Sequence, residues 1–261
     1  MRIRYMIISL FLMAALCGVE AMAMTAKEIV EKSERAVRGN SQIVVCEMTI
    51  KTRRWTRTLK VKNWENRTIR KSFTEVLAPK SDAGNRFLMV NRERLMWQYN
   101  PRVGKEIKIH PSMMLQSWMG SDFTNDDIVK ESSMIEDYHH TLAGTKTVDG
   151  HRCHWITMKP KQDAAVVWGS LVSYVRTSDY LPVRLEYYDQ HGKLKKVLTC
   201  SNYRQMGGRV IPVTYRMTTM KKRRESDDGD VEEYTLMEFK NASFDLPIED
   251  SVFTIQNLKR R

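Results

Sequence analysis

The chain is poor in the groups that signal covalent or metal chemistry. It has four cysteines in 261 residues, none at C-x-x-C spacing, which argues against a redox or zinc role. It has no G-x-S-x-G elbow, no H-E-x-x-H pair and no P-loop, and no side chain stands out as a nucleophile. The 7 prolines and 12 glycines are scattered, with no low-complexity linker to divide the chain into domains. No apolar run reaches the roughly 20 residues that a membrane-spanning helix needs. No metal or cofactor is implied.

Positive charge, by contrast, is in excess, at a formal net of +12. The first 23 residues read as a cleaved secretory signal, with Arg2 and Arg4 at a basic start, a short apolar stretch over 7–16 and an Ala21-Met22-Ala23 cleavage site. A retained anchor is the alternative. Lipid attachment at Cys17 is disfavoured because bulky Leu16 precedes it. Cleavage leaves residues 24–261 as a single exported domain of net charge +11. Such a surface suits an anionic membrane surface better than nucleic acid, even though basic strands with aromatics also serve single-stranded nucleic acid. Cys46, Cys153 and Cys200 would remain. Their odd number and apolar settings predict buried free thiols, with one disulfide among them as the alternative.

The periodicity is mostly that of strands. Residues 25–38 predict one amphipathic helix, opened by a Thr25/Glu28 capping box and stopped at Gly39. Thereafter the period is two: Val44, Cys46, Met48 and Ile50 alternate, and Trp55, Leu59 and Val61 follow suit. Strands are expected near 66–77, 86–91, 94–100, 105–110, 151–159, 164–177, 182–189, 193–203, 209–221, 230–240 and 251–257. Hairpin chemistry marks Asp149-Gly150, His191-Gly192, Gly207-Gly208 and Asp228-Gly229. The fold class is therefore mainly β: an incomplete, half-open antiparallel β-barrel with an N-terminal helix and a short helical lid. Its lumen would be either an apolar cavity or packed solid.

The lid is predicted from residues 95–131. An aromatic strand with Trp97 and Tyr99 turns at Asn100-Pro101, a basic strand returns, and a methionine-rich run follows. Met114, Leu115, Trp118 and Met119 share one helical stripe, Gly120 suits a left-handed stop, and Ser121 or Asp122 can cap a second short helix. We expect Met113, Met114, Leu115, Trp118, Met119 and Phe123 to bind apolar ligand, with Trp97 and Tyr99 as neighbours in the cavity. Of the 17 methionines, those of the lid suit a surface that fits varied apolar ligands.

Trp97-x-Tyr99-x-Pro101, the basic return strand, Met119-Gly120-Ser121-Asp122-Phe123-Thr124 and Asp126-Asp127 together resemble the outer-membrane lipoprotein-sorting (LolA-like) proteins of Gram-negative bacteria. Asp245-Leu246-Pro247 with Val252-Phe253 resembles the end of that family's barrel. The resemblance runs from about residue 26 to residue 258, and it is to the broad LolA-like branch more than to the dedicated carrier. It implies a non-enzymatic periplasmic carrier that shields the acyl chains of a lipoprotein or lipid and moves them toward the outer membrane. It also implies an arginine on an early strand holding the lid closed, a role that the resemblance assigns to neither Arg54 nor Arg57.

Two other readings stay open: a packed accessory module docking on an inner-membrane lipid exporter, and an envelope enzyme using Asp122, Asp126 and Asp127. Helix capping explains those carboxylates more simply. His151, Cys153 and His154 lack a completing ligand and alternate between strand faces. Arg54, Lys60 and Lys62 are expected to point outward, and residues 259–261 to form a free tail.

Overall fold

The structure, a computed structural model, describes residues 24–90, 95–130, 134–164, 166–220 and 232–260. The expected signal segment with Cys17, the basic run at 221–224, the Asp228-Gly229 turn and Arg261 lie outside these residues.

Helix α1 (Ala26–Val37) leads into β1 (Ser41–Lys51), β2 (Thr56–Asn66), β3 (Lys71–Ala78), β4 (Arg86–Val90), β5 (Leu95–Asn100) and β6 (Lys105–Lys108). A helical insertion follows, with 3-10 turns at Pro111–Met113 and Trp118–Gly120 and helix α2 (Asn125–Lys130). The chain resumes with β7 (Tyr138–Val148), β8 (His151–Pro160), β9 (Ser170–Arg176), β10 (Pro182–Tyr188), β11 (Leu194–Met206), β12 (Arg209–Thr219) and β13 (Tyr234–Phe244). It closes with a 3-10 turn (Asp250–Phe253) and helix α3 (Ile255–Leu258).

All thirteen strands form one sheet in the order β6-β5-β4-β3-β2-β1-β13-β12-β11-β10-β9-β8-β7. The chain runs outward from β1 to one edge, crosses through the insertion to the other edge at β7, and returns to pair β13 with β1. Edges β6 and β7 share no ladder, so the antiparallel sheet curls without closing.

The local chemistry is as expected at several places. Thr25 and Glu28 make both halves of the capping box, and β1 buries Val44, Cys46, Met48 and Ile50 on one face. Asp149-Gly150 and Gly207-Gly208 turn with both residues at positive φ, the backbone that a two-residue hairpin requires. Gly39, however, is not a left-handed stop. A Cβ there would stand 2.6 Å from the Ser41 carbonyl and 2.8 Å from the Asp245 carboxylate, so close approach excludes a side chain.

Three other expectations are corrected. Residues 251–257 are helical, not a strand, because the Thr254 hydroxyl caps α3 by accepting the Asn257 N–H at 3.1 Å. Strand β7 is a full edge strand that is missing from the strands expected above. Most of it faces solvent and so shows no apolar alternation. The end of the chain is tethered rather than free: Lys259 pairs with Glu106, and the Arg86 guanidinium donates to the Arg260 carbonyl.

The inner face of the sheet carries the main apolar cluster, from Val76, Phe87 and Met96 across β1 and β2 to Ile211 and Met217. Helix α1 seals the β7–β9 end through Ile29, Val30, Ile156, Met158 and Leu171, and Tyr187 packs against both clusters. On the outer face, the C-terminal Phe253 and Leu258 cover Phe73, Leu88 and Tyr99.

Candidate functional site

Residues 111–130 lie over the inner apolar cluster as a lid. Trp118 and Phe123 are buried in that cluster, and Met113, Met114 and Met119 pack against it half-buried. The Trp118 ring meets Phe87 at 5.2 Å between centroids, a geometry that adds to plain burial. Leu115, by contrast, is 60% exposed and stands outside the contact.

The expected helical stripe is not a helix. Ser117 is extended (φ −61°, ψ 122°), its hydroxyl donates to the Ser121 carbonyl, and it bridges to Thr124. The Trp118 N–H donates to the Phe123 carbonyl at 2.7 Å and the Asn125 N–H to Gln116 at 3.0 Å. The segment is therefore a self-bonded loop, and this geometry turns Trp118 inward and Leu115 outward.

Each residue of Gly-Ser-Asp-Phe-Thr has a task. Met119 and Gly120 take left-handed backbone (φ 53° and 76°), which glycine adopts freely and methionine only under tertiary constraint. The Ser121 hydroxyl donates to the Trp118 carbonyl at 2.6 Å. Phe123 enters the core. Thr124, rather than Ser121 or Asp122, caps α2: its hydroxyl accepts the Asp127 N–H at 3.1 Å, and Asp127 accepts the Thr124 N–H at 2.9 Å. This is a reciprocal capping pair.

Two latches hold the lid on the sheet. On one side, the Arg57 guanidinium of β2 donates to the Met119 carbonyl and pairs with Asp82 at 3.3 Å. On the other, Lys196 of β11 donates to the Asp122 carbonyl at 2.6 Å and to the Asp127 carboxylate at 2.8 Å. That ion pair is almost fully buried, with side chains 8% and 6% exposed. The Asp122 carboxylate accepts from Thr219 at 2.7 Å and Thr235 at 2.8 Å, and Trp168 donates to Asp127 at 3.3 Å. The lid thus spans from β2 to β11–β13. Asp122 and Asp127 are occupied by anchoring, and the side chain of Asp126 lies outside the described residues.

Trp97 and Tyr99 do not join this site. Both pack on the outer face beneath the C-terminal helical turns, and Met96 is the inward residue of β5. The reason is strand parity: the aromatic residues and the inner cluster fall on opposite sides of the same strand.

Arg57 was legible by that rule. It stands two residues before Leu59 and four before Val61, on the apolar face, while Arg54 precedes the strand. Trp55 shares that parity but sits 43% exposed at the rim, with the Arg57 guanidinium 5.4 Å from its ring centroid. Lys196 carries no comparable signal.

Elsewhere, all three cysteines are free and buried. Burial pushes the Cys46 and Cys200 thiols up to about 12 and raises Cys153 as well. Cys153 and His154 point to opposite faces, His154 stacking on Tyr180. Among the described residues, no three His, Cys, Asp or Glu side chains gather as a metal site. No described helix is long and apolar enough to cross a membrane.

A family model described only as "-like: Uncharacterized protein" matches residues 69–260, well over half of the chain. The chain belongs to that family. No match to a curated protein is found. Its fold is shared by three solved structures. One, from Vibrio parahaemolyticus, is named as an outer membrane lipoprotein-sorting protein domain. It is 22% identical, with a TM-score of 0.76 over 90% of this chain and 98% of that one. A DUF1329 family protein from Desulfovibrio piger is 21% identical, with a TM-score of 0.76 over 89% and 97%. A LolA superfamily protein from Nitrosomonas europaea is 19% identical, with a TM-score of 0.71 over 90% and 100%. The chain therefore shares the half-open barrel of these structures.

Proposed function

We propose that the protein is a non-enzymatic periplasmic carrier. It binds the acyl chains of a lipoprotein or lipid against the inner apolar face and moves them toward the outer membrane. One observation carries the reading: Trp118, Met119 and Phe123 fill the inner face from a loop that polar latches hold down on the sheet. A lid of this kind occupies the place of a ligand and can exchange with it. The mature chain begins after a signal cleaved at residue 23 and meets an anionic membrane surface, and an inner-membrane lipid exporter is the fitting donor. Met113, Met114, Trp118, Met119 and Phe123 form the binding surface. Trp97, Tyr99 and Leu115 are dropped from it on their placement.

Native mass spectrometry of the mature protein from a periplasmic extract, with lipid extraction of the same sample, tests the reading. A bound acylated species is expected. A clean apo mass with no uptake of added fluorescent fatty acid would favour a packed accessory module instead.

A further inference from the structure

Beside the lid seam lies a cavity of about 420 Å³ with a mixed polar and apolar lining. Arg57 and Arg102 line it, together with the amides of Asn85, Gln98 and Asn100 and the rim indole of Trp55. Met119 and Gly120 form its lid-side wall. A Cβ on Gly120 would stand 3.6 Å from Arg57 Nη2, so the latch and the cavity share one surface.

The charges there do not cancel. Asp82 is the acidic group of the lining. It already holds Arg57 at 3.3 Å and accepts from the Ser81 hydroxyl at 2.8 Å. Arg102 is exposed on the β5–β6 turn and pairs with no carboxylate among the described residues. Arg57 spends Nη1 on Asp82 and Nη2 on the Met119 carbonyl. Two guanidinium groups in a lining with one carboxylate, that of Arg102 with its donors free among the described residues, are the chemistry that takes an oxyanion. The volume exceeds that of a bare phosphate and leaves room for neighbouring ester and glycerol oxygens, which the three amides suit as neutral partners.

We propose that this cavity binds the phosphate of an acylated lipid headgroup, and that the bound phosphate draws Arg57 off the Met119 carbonyl to release the lid. The inference rests on the carrier reading and narrows its cargo to phosphate-bearing lipid. The energetic logic is linkage: a ligand shifts the lid equilibrium by its difference in affinity for the open and closed forms, and a competitor for Arg57 has that difference. An acyl chain alone carries no phosphate to compete for Arg57.

The test uses the mature chain with a bound fluorescent fatty acid, displaced by dioleoyl phosphatidic acid or by dioleoylglycerol. Phosphatidic acid should compete roughly tenfold better, the worth of about one charge-assisted hydrogen bond. Arg102→Gln, at an exposed turn, should erase the preference, and Lys159→Gln on the exposed side of β8 should keep it. Equal competition by the two lipids, or a preference that survives Arg102→Gln, overturns the proposal alone. Displacement by neither lipid refutes the carrier reading and the proposal with it. Inorganic phosphate that raises the melting temperature while the two lipids compete equally would identify a free-phosphate site and overturn the headgroup assignment.

Discussion

Replacing Lys196 with methionine isolates the buried latch. The substitution keeps the length of the side chain and removes a charge that sits 2.8 Å from the Asp127 carboxylate, with both side chains under 10% exposed. Removing one member of a buried ion pair costs about 3–5 kcal/mol, because the remaining charge stays desolvated. Asp127 would keep two donors, the Thr124 N–H at 2.9 Å and Trp168 Nε1 at 3.3 Å, which sets the expectation at the low end, about 3 kcal/mol. The loss falls on the lid, since every group involved either belongs to it or faces it. An opening equilibrium weakened by about 3 kcal/mol rises roughly a hundredfold.

Native-state hydrogen exchange reads this directly. The Trp118 and Ser121 amides, which donate to Phe123 and Trp118, should lose about two decades of protection, and amides in the β1–β2 ladder should change little. Lys196→Met with Asp127→Asn should recover most of the loss, because no buried charge then lacks a partner. Unchanged lid protection in Lys196→Met, or a double variant as loose as the single one, would refute the latch.

Arg57→Ala should act more mildly. Arg57 is about a third exposed, so loss of the Met119 and Asp82 contacts is worth about 1.5 kcal/mol. Fluorescent fatty acid should then enter about tenfold faster by stopped-flow, and an unchanged rate counts against lid control. The thiols supply a structural check. With Cys46 and Cys200 near 12 by burial, alkylation at pH 8 should label none of the three cysteines natively and all three after denaturation. Stability should also fall as the medium acidifies below pH 6.5. Burial lowers the affinity of His140 and His154 for a proton below the ordinary 6.5. The unfolded chain therefore binds more protons there, and stability present above pH 6.5 is lost as the pH drops through it. Melting temperatures at pH 7.5 and 5.5 should differ less in a His140→Gln, His154→Gln variant. The depressed carboxylates Asp189 and Asp245 act only below their ordinary value of 3.8.

Much of the frame was legible in the sequence because its signals are local. The capping box at Thr25 and Glu28 and the alternation through Ile50 need only neighbours a few residues away. The Gly-Ser-Asp-Phe-Thr block was visible as a motif, but what it does was not. Asp122 reads as a cap until Thr219 and Thr235, about 100 residues on, are seen to donate to it. Lys196 sits in a run of lysines beside a hairpin and looks solvated. Only the pairing of β11 beside β12 and β13 brings it under the lid. Trp97 and Tyr99 were misplaced for a different reason. Aromatic content suggests a cavity, but parity puts Met96 inside and Trp97 and Tyr99 outside.

On the proposed carrier reading, the two latches hold a lid that has to leave when cargo binds. Seating Trp118, Met119 and Phe123 on the inner face is worth about 2 kcal/mol each, near 6 in all. The Arg57 contacts add about 1.5 kcal/mol against release, and the Lys196–Asp127 pair adds little net, because both charges regain water when the lid opens. An acyl chain of about 16 carbons that takes over the same surface returns about 12 kcal/mol at roughly 0.8 per methylene. On that carrier reading, cargo of this length would displace the lid with a surplus of only a few kcal/mol, small enough for reversible exchange. A lid lacking either latch would tip that balance toward an open, exposed inner face. A lid covalently pinned, for instance by a disulfide to β11, would leave the same apolar surface permanently filled and should abolish uptake while raising the melting temperature.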